Sequence, residues 1–179
     1  MSRLPLIDES ADTAAGKLLA ETRTQLGRVP NLYRALANSP AALNGYLQFR
    51  SALQGGRLSQ KLREQIALVT AEVNRCEYCV SAHAFRGSKL GIPEAELRLN
   101  RKGGSNDART AATLTLAAQM TRNRGQVSDH AVEAAKAAGL DSEDLAELIA
   151  HVALNFYSNI LNHLAEPELD FPRTPLLDD

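Results

Sequence analysis

No stretch of this chain alternates polar and apolar residues for long enough to make a convincing β-strand, while apolar residues recur at three- and four-residue intervals almost throughout. Each amphipathic helix of that kind must bury its apolar stripe against another, which points to an all-α fold. The starts and stops are written in residue chemistry. A first helix is expected after Asp8 to Ser10, running to Gln25 with Gly27 as its stop. Asn31 is read as the cap of a short helix through Ala37. Ser39 followed by Pro40 is a strong start signal, a capping hydroxyl and then proline at the first helical position. That helix carries Leu43, Tyr46, Leu47 and Leu53 and ends at Gly55 and Gly56. Ser59 opens the next, with Leu62, Ile66, Val69 and Val73 at helical spacing. Asn74 interrupts it and is read as the cap of a helix from about Arg75 to Leu90, closed by Gly91. Pro93 begins a short acidic helix, and the Lys-Gly-Gly-Ser run at 102–105 reads as the clearest flexible connection. Helices from about Asp107 to Arg122, Ser128 to Ala138 and Ser142 to Leu164 follow, and the tail beyond Pro167 is expected to be extended.

At 179 residues the chain fits one domain, 1–179, long enough to bury a core without staples. Its formal net charge of −1 leaves no basic footprint for nucleic acid and no polybasic patch for a membrane surface. The first eight residues, interrupted by Asp8, do not read as a secretory signal. The most apolar run, Leu148 to Ile160, is too short to cross a bilayer and contains His151, Asn155 and Asn159. Only two cysteines occur, three positions apart, which is not the pattern of a disulfide-stapled secreted scaffold. Close thiols in a chain without an export signal point instead to redox or metal chemistry in a reducing compartment, the cytoplasm.

The chain also echoes itself. Leu62, Glu64, Ile66, Ala67 and Val69 align at one constant offset with Leu145, Glu147, Ile149, Ala150 and Val152. Gly56, Ser59 and Ala82 find Gly139, Ser142 and Ala165 in the same register, so a unit at about 59–91 has a degenerate counterpart at about 139–166. Under that register Cys76 falls on Asn159 and Cys79 on Asn162. Descent from two related helical repeats and chance likeness between two Leu/Ala-rich amphipathic helices both account for the echo.

The chemistry concentrates in one segment. Glu64 is followed after eleven residues by Cys76, then Cys79 and His83. On an α-helix these last three fall within roughly a 60° arc, and Cys79 and His83 are neighbours one turn apart. A thiol is a poor nucleophile until it becomes a thiolate, and a nearby imidazole can take its proton. A second thiol three residues back can then close a disulfide. Glu64 sits on the preceding helix, where a reversal of the chain around Asn74 would set its carboxylate against His83 and orient the ring.

The pattern of Glu64, then Cys76, Cys79 and His83 at C-x-x-C-x-x-x-H spacing, resembles the core motif of the AhpD-like alkylhydroperoxidases of the carboxymuconolactone decarboxylase superfamily. The likeness extends to the Val29–Tyr33 segment and the Asn155–Pro167 helix end. It implies an all-α AhpD-like fold, assembly as a homo-oligomer (trimer or hexamer), and reduction of a peroxide substrate by the cysteine pair. In that scheme Cys79 attacks the peroxide, Cys76 resolves, Glu64 and His83 relay protons, and an external dithiol of lipoyl or thioredoxin type resets the pair. AhpD has a histidine just before the second cysteine where this chain has Tyr78, a hydrogen-bond donor but a poor base at neutral pH. That departure suits the peroxidase-related branch and leaves Tyr78 an auxiliary candidate. The decarboxylase branch lacks the cysteine pair.

Other readings of the same residues remain open at this level. A zinc site would use Cys76, Cys79 and His83 with a fourth ligand from Glu64, His151 or His163. A thiol switch or an electron-passing adaptor would use the dithiol without peroxide turnover. A c-type haem is excluded because Val80 stands where that motif needs histidine, and neither a cofactor nor a metal is expected. His151 reads as a hydrogen-bonded core or interface residue, His163 as a complement to its own helix end, and His130 as a surface residue. Tyr33, Phe49, Phe85, Phe156 and Tyr157 read as core or subunit contacts, and Arg98, Arg101 and Lys102 as a solvated face.

Overall fold

The computed structural model describes residues 2–178, and among them there are nine helices and no strand. They are α1 (Ala14–Leu26), α2 (Asn31–Leu36), α3 (Pro40–Gln54), α4 (Gln60–Val73), α5 (Glu77–Lys89), α6 (Glu94–Arg101), α7 (Ala108–Arg122), α8 (Asp129–Ala137) and α9 (Ser142–Ala165). The hydroxyls of Ser39, Ser59 and Ser128 accept from the backbone N–H groups of Ala42, Leu62 and Ala131, the caps their positions demand. Gly27, at φ 72°, ends α1 in the left-handed conformation that costs glycine least.

Helix α4 is the hub. It packs against α5, α6, α7 and α9, and every residue from Gln65 to Glu72 is buried. Over that stretch α4 is covered on all sides, and it sorts its neighbours into two groups. On one side Ile66 and Val69 meet Leu114 and Ala117 of α7 and Leu148 of α9. On another, Leu68 and Ala71 meet Cys76, Cys79 and Val80 at the start of α5 and Leu97 of α6. A third cluster, around Leu19, Tyr33, Leu43 and Tyr46, joins α1, α2 and α3 to Leu154 of α9. Close approach of α5 and α6 requires Gly87, where a Cβ would stand 2.7 Å from Leu97 Cδ2.

Four local expectations change. Helix α1 begins at Ala14, because Thr13 rather than Asp8 to Ser10 supplies the capping oxygen, to the N–H of Gly16. Asn31 is not a cap; its N–H and its amide bind the tail, at Asp170 and at the Glu168 carbonyl. The 102–105 run is a hydrogen-bonded turn, with the Gly104 carbonyl held by Asn100 and the Ser105 hydroxyl donating to Glu96. Arg101 leaves the solvated face: its guanidinium is 8% exposed and donates to Glu72 at 2.6 Å. Residues 167–178 are extended and lie back across α5, with the Thr174 N–H donating to Ser81 Oγ and the Leu177 N–H to Glu72.

Candidate active site

Helix α4 ends at Asn74, its C-cap, and Arg75 turns the chain at φ 56°. Cys76 is therefore the N-cap of α5 and not a residue within it, and Asn74 caps the preceding helix instead of this one. The expectation of a helix from Arg75 shifts by two residues because asparagine ends helices as readily as it begins them. Cys79 lands in the first turn of α5, where unpaired backbone N–H groups and the helix dipole favour negative charge.

Both cysteines are free and buried, with their Sγ atoms 2.7 Å apart. From α9, the Asn162 amide donates to Cys79 Sγ at 3.0 Å. Asn159 sits one turn earlier, and its Oδ1 accepts from the Asn74 amide at 2.8 Å. Asn159 Nδ2 and Asn162 Oδ1 are buried without a hydrogen-bond partner. These surroundings split the two thiols. Burial pushes the Cys79 thiol up, but the Cys76 thiol, the Asn162 and Asn159 amides and the Arg86 guanidinium outweigh it and hold it below the ordinary thiol value. The Cys76 thiol moves the other way, raised by its hydrogen bond to Cys79 and by burial. Deprotonation of the pair thus places the charge on Cys79, with Cys76 as the S–H donor.

Glu64 and His83 meet as their spacing allows. Glu64 Oε2 lies 2.7 Å from His83 Nδ1, with both side chains largely buried. Burial pushes the Glu64 carboxyl up, yet the His83 ring, together with Arg86 and Arg50, brings it below its ordinary value of 4.5. Among the described residues no hydrogen bond joins His83 to either sulfur, so a proton passing between them travels through a water or the substrate. A cavity of about 390 Å³ brings the groups together: Cys79, Glu64 and His83 all line it, and Cys76 does not. The pair is thus arranged with one sulfur at the cavity wall and the other behind it.

Tyr78 is turned to a different task. Its hydroxyl accepts from the Leu32 N–H at 3.2 Å and donates to Asp170 at 2.6 Å. Burial and the Asp170 carboxylate both raise its ionisation well above the ordinary phenol value. Phe171 stacks edge-on against Tyr78 and closes that side of the cavity, so the tail forms part of the wall. His163 does not serve its own helix end: its Nε2 lies 2.8 Å from the Asn74 carbonyl at the end of α4. His151 lines the cavity as a buried ring whose Nε2 has no partner. Among the described residues no three His, Cys, Asp or Glu side chains are grouped so as to hold a metal ion. Nor is any helix among them long and apolar enough to cross a membrane.

Residues 40–102, spanning α3 to the end of α6, match the family model of the carboxymuconolactone decarboxylase family. The matched segment covers 63 of the 179 residues. It carries Glu64, Cys76, Cys79, His83 and Arg86, whereas the Asn159 and Asn162 amides and the tail come from outside it. An uncharacterized peroxidase-related protein from Silicibacter sp. TM1040 shares the fold at TM-score 0.79 and 24% identity, over 94% of this chain and 92% of that one. The alkylhydroperoxidase AhpD core of a peroxidase-related protein from Ralstonia eutropha JMP134 aligns at TM-score 0.83 and 23% identity, over 94% and 92%. The debrominase Bmp8, in complex with 2,3,4-tribromopyrrole, aligns at TM-score 0.81 and 13% identity, over 95% and 92%. No curated protein matches the sequence. The chain thus has the all-helical fold of these AhpD-like structures, a fold that carries more than one chemistry among them.

Two contributors to the site escaped the sequence reading. Arg86 was within reach of it, since Cys79, His83 and Arg86 follow one face of α5 at i, i+4 and i+7. Asn162 lies 83 residues from Cys79, and only the internal echo, which aligns those two positions, pointed to it.

Proposed function

We propose that the protein is a thiol peroxidase that reduces organic hydroperoxides or hydrogen peroxide through a Cys76/Cys79 dithiol–disulfide cycle. The observation that carries the reading is the asymmetry of the pair: the sulfur that lines the cavity is the one whose surroundings favour the thiolate. The Cys79 thiolate attacks the distal oxygen of ROOH, the O–O bond breaks, and Cys79 becomes a sulfenic acid. The alkoxide leaves and takes a proton from the Glu64/His83 pair to give ROH. The Cys76 sulfur then attacks the Cys79 sulfur, the S–OH bond breaks, and the Cys76 proton leaves with hydroxide as water. An external dithiol reduces the disulfide by exchange. Both sulfurs lie below 4% exposure, which favours a small or slender dithiol arm of lipoyl type over a bulky partner surface.

Self-association fits the outside of the molecule. Ile149, Tyr157, Ile160 and Leu164 form an exposed apolar stripe along α9, the kind of face that copies of a chain cover in an oligomer.

The test is peroxide consumption with a dithiol reductant, followed by intact mass. Cys79→Ser should abolish turnover, and Cys76→Ser should stop after one equivalent with Cys79 trapped as sulfenate. Undiminished turnover by Cys79→Ser would sink the reading.

A further inference from the structure

The cavity is more basic than its proposed chemistry requires. Arg50, Arg63 and Arg86 line it, and among the described residues none has a carboxylate within ion-pair distance. Other arginines of the chain are matched: Arg28 pairs with Asp170, Arg101 with Glu72, Arg109 with Asp144. Among the described residues Glu64 is the single acid in the cavity wall, and it is committed to His83 at 2.7 Å. Arg63 gives one N–H to the Leu53 carbonyl, and Arg50 is within reach of Gln54 on its own helix. Among the described residues the Arg86 side chain has no hydrogen-bond partner, and its Cζ rests 5.5 Å from the centre of the Phe171 ring. Arg28 stacks on the same ring, with Cζ 4.6 Å from its centre. Arg86 is thus held by an aromatic contact that leaves its five fork-like donors uncommitted.

A half-buried guanidinium with no carboxylate in contact has donors that an arriving anion can satisfy. A second orphan faces the same space: His151, 5% exposed, lines the cavity with its Nε2 unbonded. Leu26, Leu32, Leu154 and the ring of Tyr46 add apolar wall, which suits an organic body and not a bare inorganic ion.

We infer that the cavity selects organic hydroperoxides that carry a carboxylate, with Arg86 as the carboxylate's partner. The inference rests on the peroxidase reading for the reacting group but not for the anion. Geometry sets the length of the substrate. Seven residues of helix rise about 10 Å from Cys79 to Arg86, and a long side chain leans back toward the N-terminus, shortening the span. The carboxylate therefore lies several bonds from the peroxide oxygens, and a simple α-hydroperoxy acid would be too short.

Two experiments separate this proposal from the reading beneath it. The first compares kcat/KM for a hydroperoxide bearing a carboxylate and for its methyl ester, in the wild-type protein and in Arg86→Gln. A charge-assisted hydrogen bond predicts a roughly ten- to hundredfold preference for the acid in the wild type. That preference should vanish in Arg86→Gln. Any loss of Cys79 activation slows both substrates alike and cancels in the ratio, so the ratio reports binding of the carboxylate. Equal rates for acid and ester in the wild type, or a preference that survives Arg86→Gln, would overturn the proposal. The second is calorimetric binding of octanoate against octanol to the reduced protein, which needs no turnover. Octanoate should bind more tightly than octanol, and that difference should be lost in Arg86→Gln and partly kept in Arg86→Lys, which retains the charge. Octanoate binding no better than octanol, or displaced equally well by inorganic phosphate, would overturn it even in an active peroxidase. Selective octanoate binding in a protein that consumes no peroxide would uphold the anion site and remove the peroxidase reading alone.

Discussion

Replacing Asn162 with leucine isolates one contribution to the reactivity of Cys79. The amide donates to Cys79 Sγ at 3.0 Å, whereas its own Oδ1 is buried without a partner. A hydrogen bond to a charged acceptor contributes roughly 1.5–3 kcal/mol. At 1.36 kcal/mol per unit, its loss raises the first deprotonation of the cysteine pair by about one to two units. Below both values the thiolate fraction falls roughly ten- to hundredfold. The more basic thiolate is a better nucleophile, with a Brønsted slope near ~0.45, which restores roughly three- to eightfold. The net loss at low pH is therefore about four- to twelvefold. Above the shifted value the sign reverses, because the thiolate is fully formed and intrinsically more reactive. Leucine keeps asparagine's branching but is the larger side chain, so overpacking of about 1–3 kcal/mol is set against removal of an orphaned acceptor, and the thermal midpoint is recorded beside the rates. The assay is the rate of iodoacetamide alkylation of the reduced protein against pH, with the modified residue identified by mass. The reasoning predicts two curves that cross. A uniform slowing at every pH, or a limb that does not move, would show that Asn162 fills space and does not tune the thiol.

Two further outcomes follow from the ion pairs. The Glu64 carboxyl titrates below its ordinary 4.5 in the folded protein, so its contribution to stability is present above that value and lost as pH falls through the folded one. The gap in thermal midpoint between wild type and Glu64→Gln should accordingly be widest near neutrality and close in acid, and a gap that widened in acid would contradict this sign. Arg101→Met leaves the 8% exposed Glu72 without its cation, a loss of roughly 3–5 kcal/mol or about 6–20 °C in midpoint. Thermal denaturation followed by circular dichroism checks it, and a shift below about 2 °C would mean that solvent reaches Glu72.

What the sequence disclosed was what depends on near neighbours. Ser39, Ser59 and Ser128 announce their helices because a cap acts within one turn, and Glu64, Cys76, Cys79 and His83 announce the site because they occupy one hairpin of α4 and α5. Asn74 misled, since the same side chain suits either end of a helix and only the left-handed Arg75 decides which. Arg101 looked solvated beside Arg98 and Lys102; its burial depends on Glu72 from α4 and on the Pro175 carbonyl of the tail, 29 and 74 residues away in sequence. The cavity was illegible for the same reason. Its wall is drawn from α1 to α5, from α9 and from Phe171, and no local pattern records that convergence.

The pair of asparagine amides beside Cys79 bears on a quantity other than speed. Whatever holds Cys79 as a thiolate stabilises the reduced protein relative to its disulfide. For a two-electron couple each pKa unit of that preference makes the disulfide more oxidising by about 30 mV. On the magnitude worked above for Asn162, one amide raises the potential by about 30–60 mV. The groups that ready Cys79 for attack therefore also make the oxidised protein easy to reset, so that a dithiol of only moderate reducing power returns it to the start. Asn162→Leu would leave a protein that is slower to oxidise at pH below the shifted thiol value and, once oxidised, harder to bring back.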